Sequence, residues 1–285
     1  MKFNQRKAAV AMAVLAVVCA NWACKKDNNY NSNPSTPAKN IQVKQDANFG
    51  SVMTDSAGRT LYFFSIDANG NSGCTGGCVT AWPVFYKENP TLDTALNASD
   101  FGTITRTDGA KQTTYKGWPL YYFQNDLKAG DIKGDNVANV WFVAKPDYTV
   151  MLANIQLVGK DGVQYDHTLK PGQEVTQYLT DAYGKTLYSF SPDRNKMNTF
   201  TKSDFSNNSI WPIDSNAVIK KIPSFLDKTQ FDMITVFGKP QLVYKGWPLY
   251  YFGADAGIRG STKGVSVPTP GIWPYLNGSS PIAPM

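Results

Sequence analysis

The chain has 285 residues, of which 42% are hydrophobic, 13% aromatic and only 18% charged, which excludes a wholly disordered protein and leaves room for one large domain or two ordinary ones. No run reaches the ~18 apolar residues of a spanning helix, which excludes a polytopic membrane protein. The formal charge of +6 invites a nucleic-acid reading, but Lys2, Arg6 and Lys7 sit ahead of the uncharged stretch Ala8–Ala20, and without them the remaining +3 is scattered, with no like-charge run suited to phosphate.

A basic start followed by a short apolar run reads as a secretory signal over residues 1–23, too short for a membrane span. Ala23 precedes Cys24, and a cysteine at that place resembles the acylated N-terminus of bacterial lipoproteins. Residues 24–40, rich in Asn, Ser, Pro and Lys, cannot bury enough apolar surface to offset their ordering entropy, so a flexible lipidated stalk is expected. The expected location is the bacterial envelope, at the outer membrane on its periplasmic or surface face, with Cys24 as the membrane attachment.

An internal repeat organises the remainder of the chain. Gly-x-x-Leu-Tyr-x-Phe-x-x-Asp occurs four times, with Gly58, Tyr62, Phe64 and Asp67 in the first copy and Gly117, Tyr121, Phe123 and Asp126 in the second. Gly184, Tyr188, Phe190 and Asp193 form the third copy, and Gly246, Tyr250, Phe252 and Asp255 the fourth. A Trp follows each copy: Trp82, Trp141, Trp211 and Trp273. The first and third copies are entered through Asp55-Ser-Ala-Gly58 and Asp181-Ala-Tyr-Gly184, the second and fourth through Tyr115-Lys-Gly-Trp-Pro119 and Tyr244-Lys-Gly-Trp-Pro248. The higher period is therefore a pair of copies. Two tandem homologous domains are expected, at 41–153 and 154–278, each of two hairpin-based half-repeats, with a tail at 279–285. A four-bladed ring of the four copies is the architectural alternative.

Asp at the first position and Gly at the fourth fit a type I turn. Val52-Met-Thr before that turn and Thr60-Leu-Tyr-Phe-Phe after it predict a β-hairpin. Extended backbone would put Tyr62 and Phe64 on one face and Leu61 and Phe63 on the other. Asp67 then falls just past the strand, where it can cap a turn. Only Glu88 and Glu174 are Glu among the 22 acids, and 17 Pro, 23 Gly, 15 Tyr and 15 Phe favour strands and turns, so the fold class is all-β.

These copies, the Asp-x-x-Gly-[Arg/Lys]-Thr-Leu-Tyr lead, and Cys74-Thr-Gly-Gly-Cys78 followed by Ala81-Trp82-Pro83 resemble the bacterial secreted-repeat lipoproteins, which carry a Tyr-x-[aromatic]-x-x-Asp motif. The resemblance implies a secreted or lipid-anchored envelope protein and no particular reaction. The third copy has no cysteine pair, so Cys-x-x-x-Cys is not needed for every repeat to fold.

Cys74 and Cys78 fit a local disulfide in an oxidising compartment, or alternatively a redox-active or copper-binding pair. Asp67-x-Asn69-x-Asn71 has calcium-loop spacing, but Cys78 stands where the bidentate Glu belongs. His167 is the sole histidine, and no nucleophile elbow, zinc motif or phosphate loop is present, so no enzyme, cofactor or metal is expected. The double tyrosines Tyr121-Tyr122 and Tyr250-Tyr251 put one ring on each face and mark the place to look for a binding surface. A non-enzymatic binding or structural module is the expectation, with an envelope protein or glycan as partner and no nucleic acid.

Overall fold

The computed structural model describes residues 38–216 and 218–285. The secretory signal, Cys24 and the stalk up to Pro37 lie outside the described residues. The first hairpin joins β1 (Ile41–Asp46) to β2 (Gly50–Asp55), with Val43 opposite Met53. Asp55 then closes the turn foreseen from its spacing to Gly58. Its Oδ1 accepts the N–H groups of Ala57 and Arg59 at 2.9 Å each, and Gly58 N–H donates to the Asp55 carbonyl at 3.0 Å. The chain returns beside β2 through Leu61 N–H on the Met53 carbonyl, 3.0 Å. β3 (Tyr62–Phe64) then departs from that hairpin.

The second copy contributes β4 (Phe101–Thr105), β5 (Lys111–Tyr115) and β6 (Trp118–Pro119), paired in that order. Tyr115 faces Trp118 across a two-residue turn at Lys116 and Gly117, both at positive φ (48° and 78°), the backbone that suits a tight hairpin and explains Lys-Gly at this spot. β7 (Trp141–Val143) comes back to pair with β3. The second pair repeats the plan. β8 (Val150–Val158), β9 (Gln164–Tyr165) and β10 (Val175–Asp181) form one sheet, and β11 (Phe231–Val236), β12 (Lys239–Tyr244) and β13 (Trp247–Pro248) form another. Among the described residues one short α-helix occurs, Gly77–Ala81.

The fold is all-β with tandem repeats, as the composition implied. No propeller forms. The described strands make five separate antiparallel sheets of two or three strands, and the copies associate two by two, joined by antiparallel bridges at Tyr62–Tyr121 and Tyr188–Tyr250. A division at 153/154 falls inside β8, which pairs along its length with β10 from Val150 opposite Asp181 to Gln156 opposite Val175. Residues 279–285 are tied back to the second pair, with Trp247 Nε1 donating to the Pro281 carbonyl (2.9 Å) and Ala283 N–H to the Lys245 carbonyl (2.9 Å), Ala283 alone being buried.

Alternation along β3 divides the core as expected. Leu61 and Phe63 join a cluster with Met53, Tyr115, Trp118 and Tyr148, while Tyr62 and Phe64 join Trp82, Tyr121 and Trp141. The first of these clusters continues into the second pair through Met151, Tyr178 and Tyr188, so the residues 38–285 form one compact unit. Trp118 strengthens that continuity by donating Nε1–H to the Ala182 carbonyl at 3.0 Å.

Candidate functional site

The four motif tyrosines are all fully buried. Each places its hydroxyl on the aspartate of the other copy in its pair. Tyr62 donates to Asp126 Oδ2 (2.5 Å) and Tyr121 to Asp67 Oδ2 (2.6 Å). In the second pair Tyr188 donates to Asp255 Oδ2 and Tyr250 to Asp193 Oδ2, both at 2.7 Å. The remaining carboxylate oxygen holds the local loop. Oδ1 of Asp67, Asp126, Asp193 and Asp255 accepts the backbone N–H of Gly73, Lys133, Thr199 and Lys263 respectively, at 2.6–3.0 Å. The expected turn role of these aspartates is thus half of what they do.

The aromatic residues exchange partners in the same way. Trp82 and Trp141 stack at 3.8 Å and 4°, and Trp211 and Trp273 at 3.7 Å and 7°. Phe64 stacks on Trp141 and Phe123 on Trp82, giving a four-ring column, and Phe190 on Trp273 with Phe252 on Trp211 gives its counterpart. Each tyrosine stands edge-on to the Trp of its own copy, at 5.1–5.5 Å. Gly134 and Gly264 complete the columns. A Cβ at Gly134 would lie 2.9 Å from Trp82 and Tyr62, and one at Gly264 2.8 Å from Tyr188, so no larger residue fits without displacing the rings. Their N–H groups donate to the Tyr62 and Tyr188 hydroxyls at 3.3 Å.

Burial dominates the electrostatics of this machinery. It pushes the Asp67 carboxyl up to about 7, against the opposing pull of the Tyr121 and Gly73 hydrogen bonds and the Arg106 charge. It also raises Asp126, Asp193 and Asp255, and the tyrosine hydroxyls rise with them. Tyrosines with no exposed surface, their hydroxyls bonded to aspartates, are clasps between copies, not surfaces for a ligand.

Cys74 and Cys78 are joined by a disulfide, Cα–Cα 5.3 Å, which engages both sulfurs in the structure. The buried Arg106 guanidinium fixes this loop by donating Nη2–H to the Cys74 carbonyl (2.7 Å) and Nη1–H to Ser72 Oγ and Gln112 Oε1. Asn69 Oδ1 accepts Asn71 N–H at 2.9 Å, an ordinary turn contact. His167 is exposed in the turn between β9 and β10, with Nδ1 2.7 Å from Glu174 Oε2, whose hydrogen bond raises the imidazole above its usual value.

A cleft of about 740 Å³ lies where the two pairs meet, lined by residues of both. Lys116 and Asp147 come from the first pair and its exit, while Asp181, Tyr183, Asp214 and Tyr251 come from the second. Of the two double-tyrosine sites, Tyr251 is the one that reaches this cleft. Its hydroxyl lies 3.4 Å from Asp181 Oδ2. Tyr122 instead donates to Asp55 Oδ2 (2.9 Å) beneath the Arg59 guanidinium, 3.6 Å from the ring centre. Asp214 is 1% exposed, and burial raises its carboxyl to about 6 with help from the Asp181 charge. Oδ1 accepts the backbone and side-chain N–H of Asn216, at 3.1 and 2.7 Å, while Oδ2 has no partner.

Arg259 pins the pairs together behind the cleft. Its Nη1–H donates to the Lys116 and Tyr183 carbonyls at 2.6 Å each, and the guanidinium lies 4.7 Å from the Trp118 ring centre. Burial lowers this cation to about 10. Residue order alone did not single out Asp214, Tyr183, Arg259, Gly134 or Gly264. A signal for three of these lay in the repeat: Lys-Gly-x-x-Val recurs at 133–137 and 263–267, and Trp-Pro-x-Asp at 211–214 stands against Trp-Pro-x-Phe at 82–85.

The fold and its clasps define an all-β protein of paired, partner-exchanging repeats. Residues 45–86 and 102–145 match the family described as a secreted repeat of unknown function. Both matched stretches fall in the first pair, in keeping with the resemblance to the secreted-repeat lipoproteins, and the match supports a repeat protein of the extracellular space or envelope. No curated protein and no solved structure matches the chain. Among the described residues, no helix is long and apolar enough to cross a membrane.

Proposed function

We propose that this protein is a lipid-anchored, non-enzymatic binding module of the bacterial envelope, held at the outer membrane by acyl chains on Cys24 and presenting the cleft between its two repeat pairs. One observation carries the reading. The motif aromatics and aspartates are consumed by the internal clasps, whereas the cleft gathers polar and aromatic side chains from both pairs around a volume suited to a small ligand. A single cysteine carrying more than one acyl chain supplies stable attachment.

The anchoring half of the reading is tested by Cys24→Ala. The variant is expected in the soluble fraction, with the unaltered chain floating with membranes in a density gradient. A Cys24→Ala protein that still floats with membranes contradicts it.

A further inference from the structure

Because the two pairs share one plan, each residue of the second has a sibling in the first. Backbone bonds fix the correspondence without reference to side chains. Phe85 donates N–H to Leu120 and accepts from Thr113, and Asp214 donates to Leu249 and accepts from Leu242 in the same arrangement. Asp214 therefore occupies a slot that in the first pair holds Phe85, packed edge-on to Tyr122 at 5.6 Å. The turn residue Tyr183, 47% exposed, likewise stands where the first pair has Ala57. Both departures line the same cleft.

The Tyr183 hydroxyl donates to Asp100 Oδ1 at 3.3 Å and its ring lies 5.4 Å from Lys116 Nζ, contacts that still leave 47% of the residue open. Burying a carboxylate with one oxygen unpartnered is costly, and the open part of the Tyr183 ring stands free beside it. A ligand that supplies a hydrogen-bond donor to Asp214 and a face for Tyr183 accounts for both. The charges of the cleft restrict its kind. Asp147, Asp181 and Asp214 face it together with Lys116, Lys185 and Lys220, and Asp147 Oδ1 is a second buried carboxylate oxygen without a partner. A net cation meets the lysines and a net anion meets the aspartates. Hydroxyl groups donate to the carboxylates and accept from the ammonium groups, and the flat face of a sugar ring packs on a tyrosine.

We propose that the cleft takes a neutral polyhydroxylated ligand, a glycan segment of roughly one to three sugar rings, with Asp214, Asp181 and Tyr251 bonding its hydroxyls and Tyr183 stacking on a ring. This rests on the binding-module reading and names the ligand class for it. The site holds the sugar and breaks no bond.

The test uses two variants that restore the first pair's residues, Asp214→Phe and Tyr183→Ala, beside the unaltered protein. Calorimetric titration is run with three probes: a panel of neutral trisaccharides built from glucose, galactose, mannose or N-acetylglucosamine, a trilysine peptide, and trigalacturonate. The expected result is binding of at least one neutral trisaccharide, weakened about tenfold or more in each variant, with circular dichroism unchanged. Binding of trilysine or trigalacturonate alone, lost in Asp214→Phe, overturns the inference of a neutral glycan and leaves the binding module standing. A neutral sugar bound equally well by all three proteins overturns the assignment of the site. Silence from every probe counts against both readings.

Discussion

Replacing Tyr188 with Phe removes one oxygen and no carbon from the second aromatic column. In the unaltered chain that hydroxyl donates to Asp255 Oδ2 at 2.7 Å and accepts the Gly264 N–H at 3.3 Å. Tyr188 is fully buried and Asp255 nearly so, so water has no easy route to either group left behind. The loss is that of a hydrogen bond to a charged acceptor plus the desolvation of its former partners, about 1.5–3 kcal/mol. For a unit of this size the midpoint of thermal unfolding falls by about 3–6 °C. Calorimetry on Tyr188→Phe, Asp255→Asn and the double variant closes a cycle. If the clasp is real, the second substitution costs at least ~1 kcal/mol less once the first is present. A single substitution costing under ~0.5 kcal/mol, or a cycle that adds with no coupling, would refute the clasp.

Further outcomes follow from the buried carboxyls and the disulfide. Burial raises Asp67 to about 7 and Asp214 to about 6, above the 3.8 of an exposed Asp, so the folded chain holds protons that the unfolded chain has already released. That contribution favours folding in mild acid and is lost as pH rises from about 4 to about 7, which places maximum stability on the acid side of neutrality. Asp214→Asn, which never ionises, is expected to flatten the decline in chemical-denaturation midpoints across that window; an unchanged slope contradicts the assignment. Converting Cys74 and Cys78 to Ser opens a loop of five residues, for which chain entropy gives a loss of about 2 kcal/mol, read as a fall in the thermal midpoint of the non-reduced protein. A loss beyond about 5 kcal/mol would mean that the bridge supports more than its own loop.

Much of this architecture could be read from residue order because it depends on short-range rules. Period-two alternation separated Tyr62 and Phe64 from Leu61 and Phe63, and the Asp55 and Gly58 spacing located the turn between β2 and β3. The exchange between copies stayed hidden. Asp67 looked like a turn former because its Oδ1 is one, bonding Gly73 six residues on, while its Oδ2 partner Tyr121 is 54 residues away. Nothing local distinguishes a Tyr that meets its own Asp from one that meets its sibling's. The boundary at 153/154 cuts through β8, whose long-range pairing with β10 composition does not reveal. The cleft was illegible as a site, since Asp214, Tyr183 and Lys116 converge only when the two pairs pack, although the Phe85-to-Asp214 exchange is visible when the two Trp-Pro segments are aligned.

The central claim is that the repeat motif builds the scaffold while the departures from it build the site. Thermal midpoint and neutral-trisaccharide affinity, measured side by side on Tyr188→Phe and Asp214→Phe, test that separation. The account predicts that Tyr188→Phe lowers the midpoint and retains affinity below its transition, and that Asp214→Phe loses affinity with a midpoint equal to or above that of the unaltered chain. Affinity lost with the clasp tyrosine and kept with the cleft aspartate would contradict it.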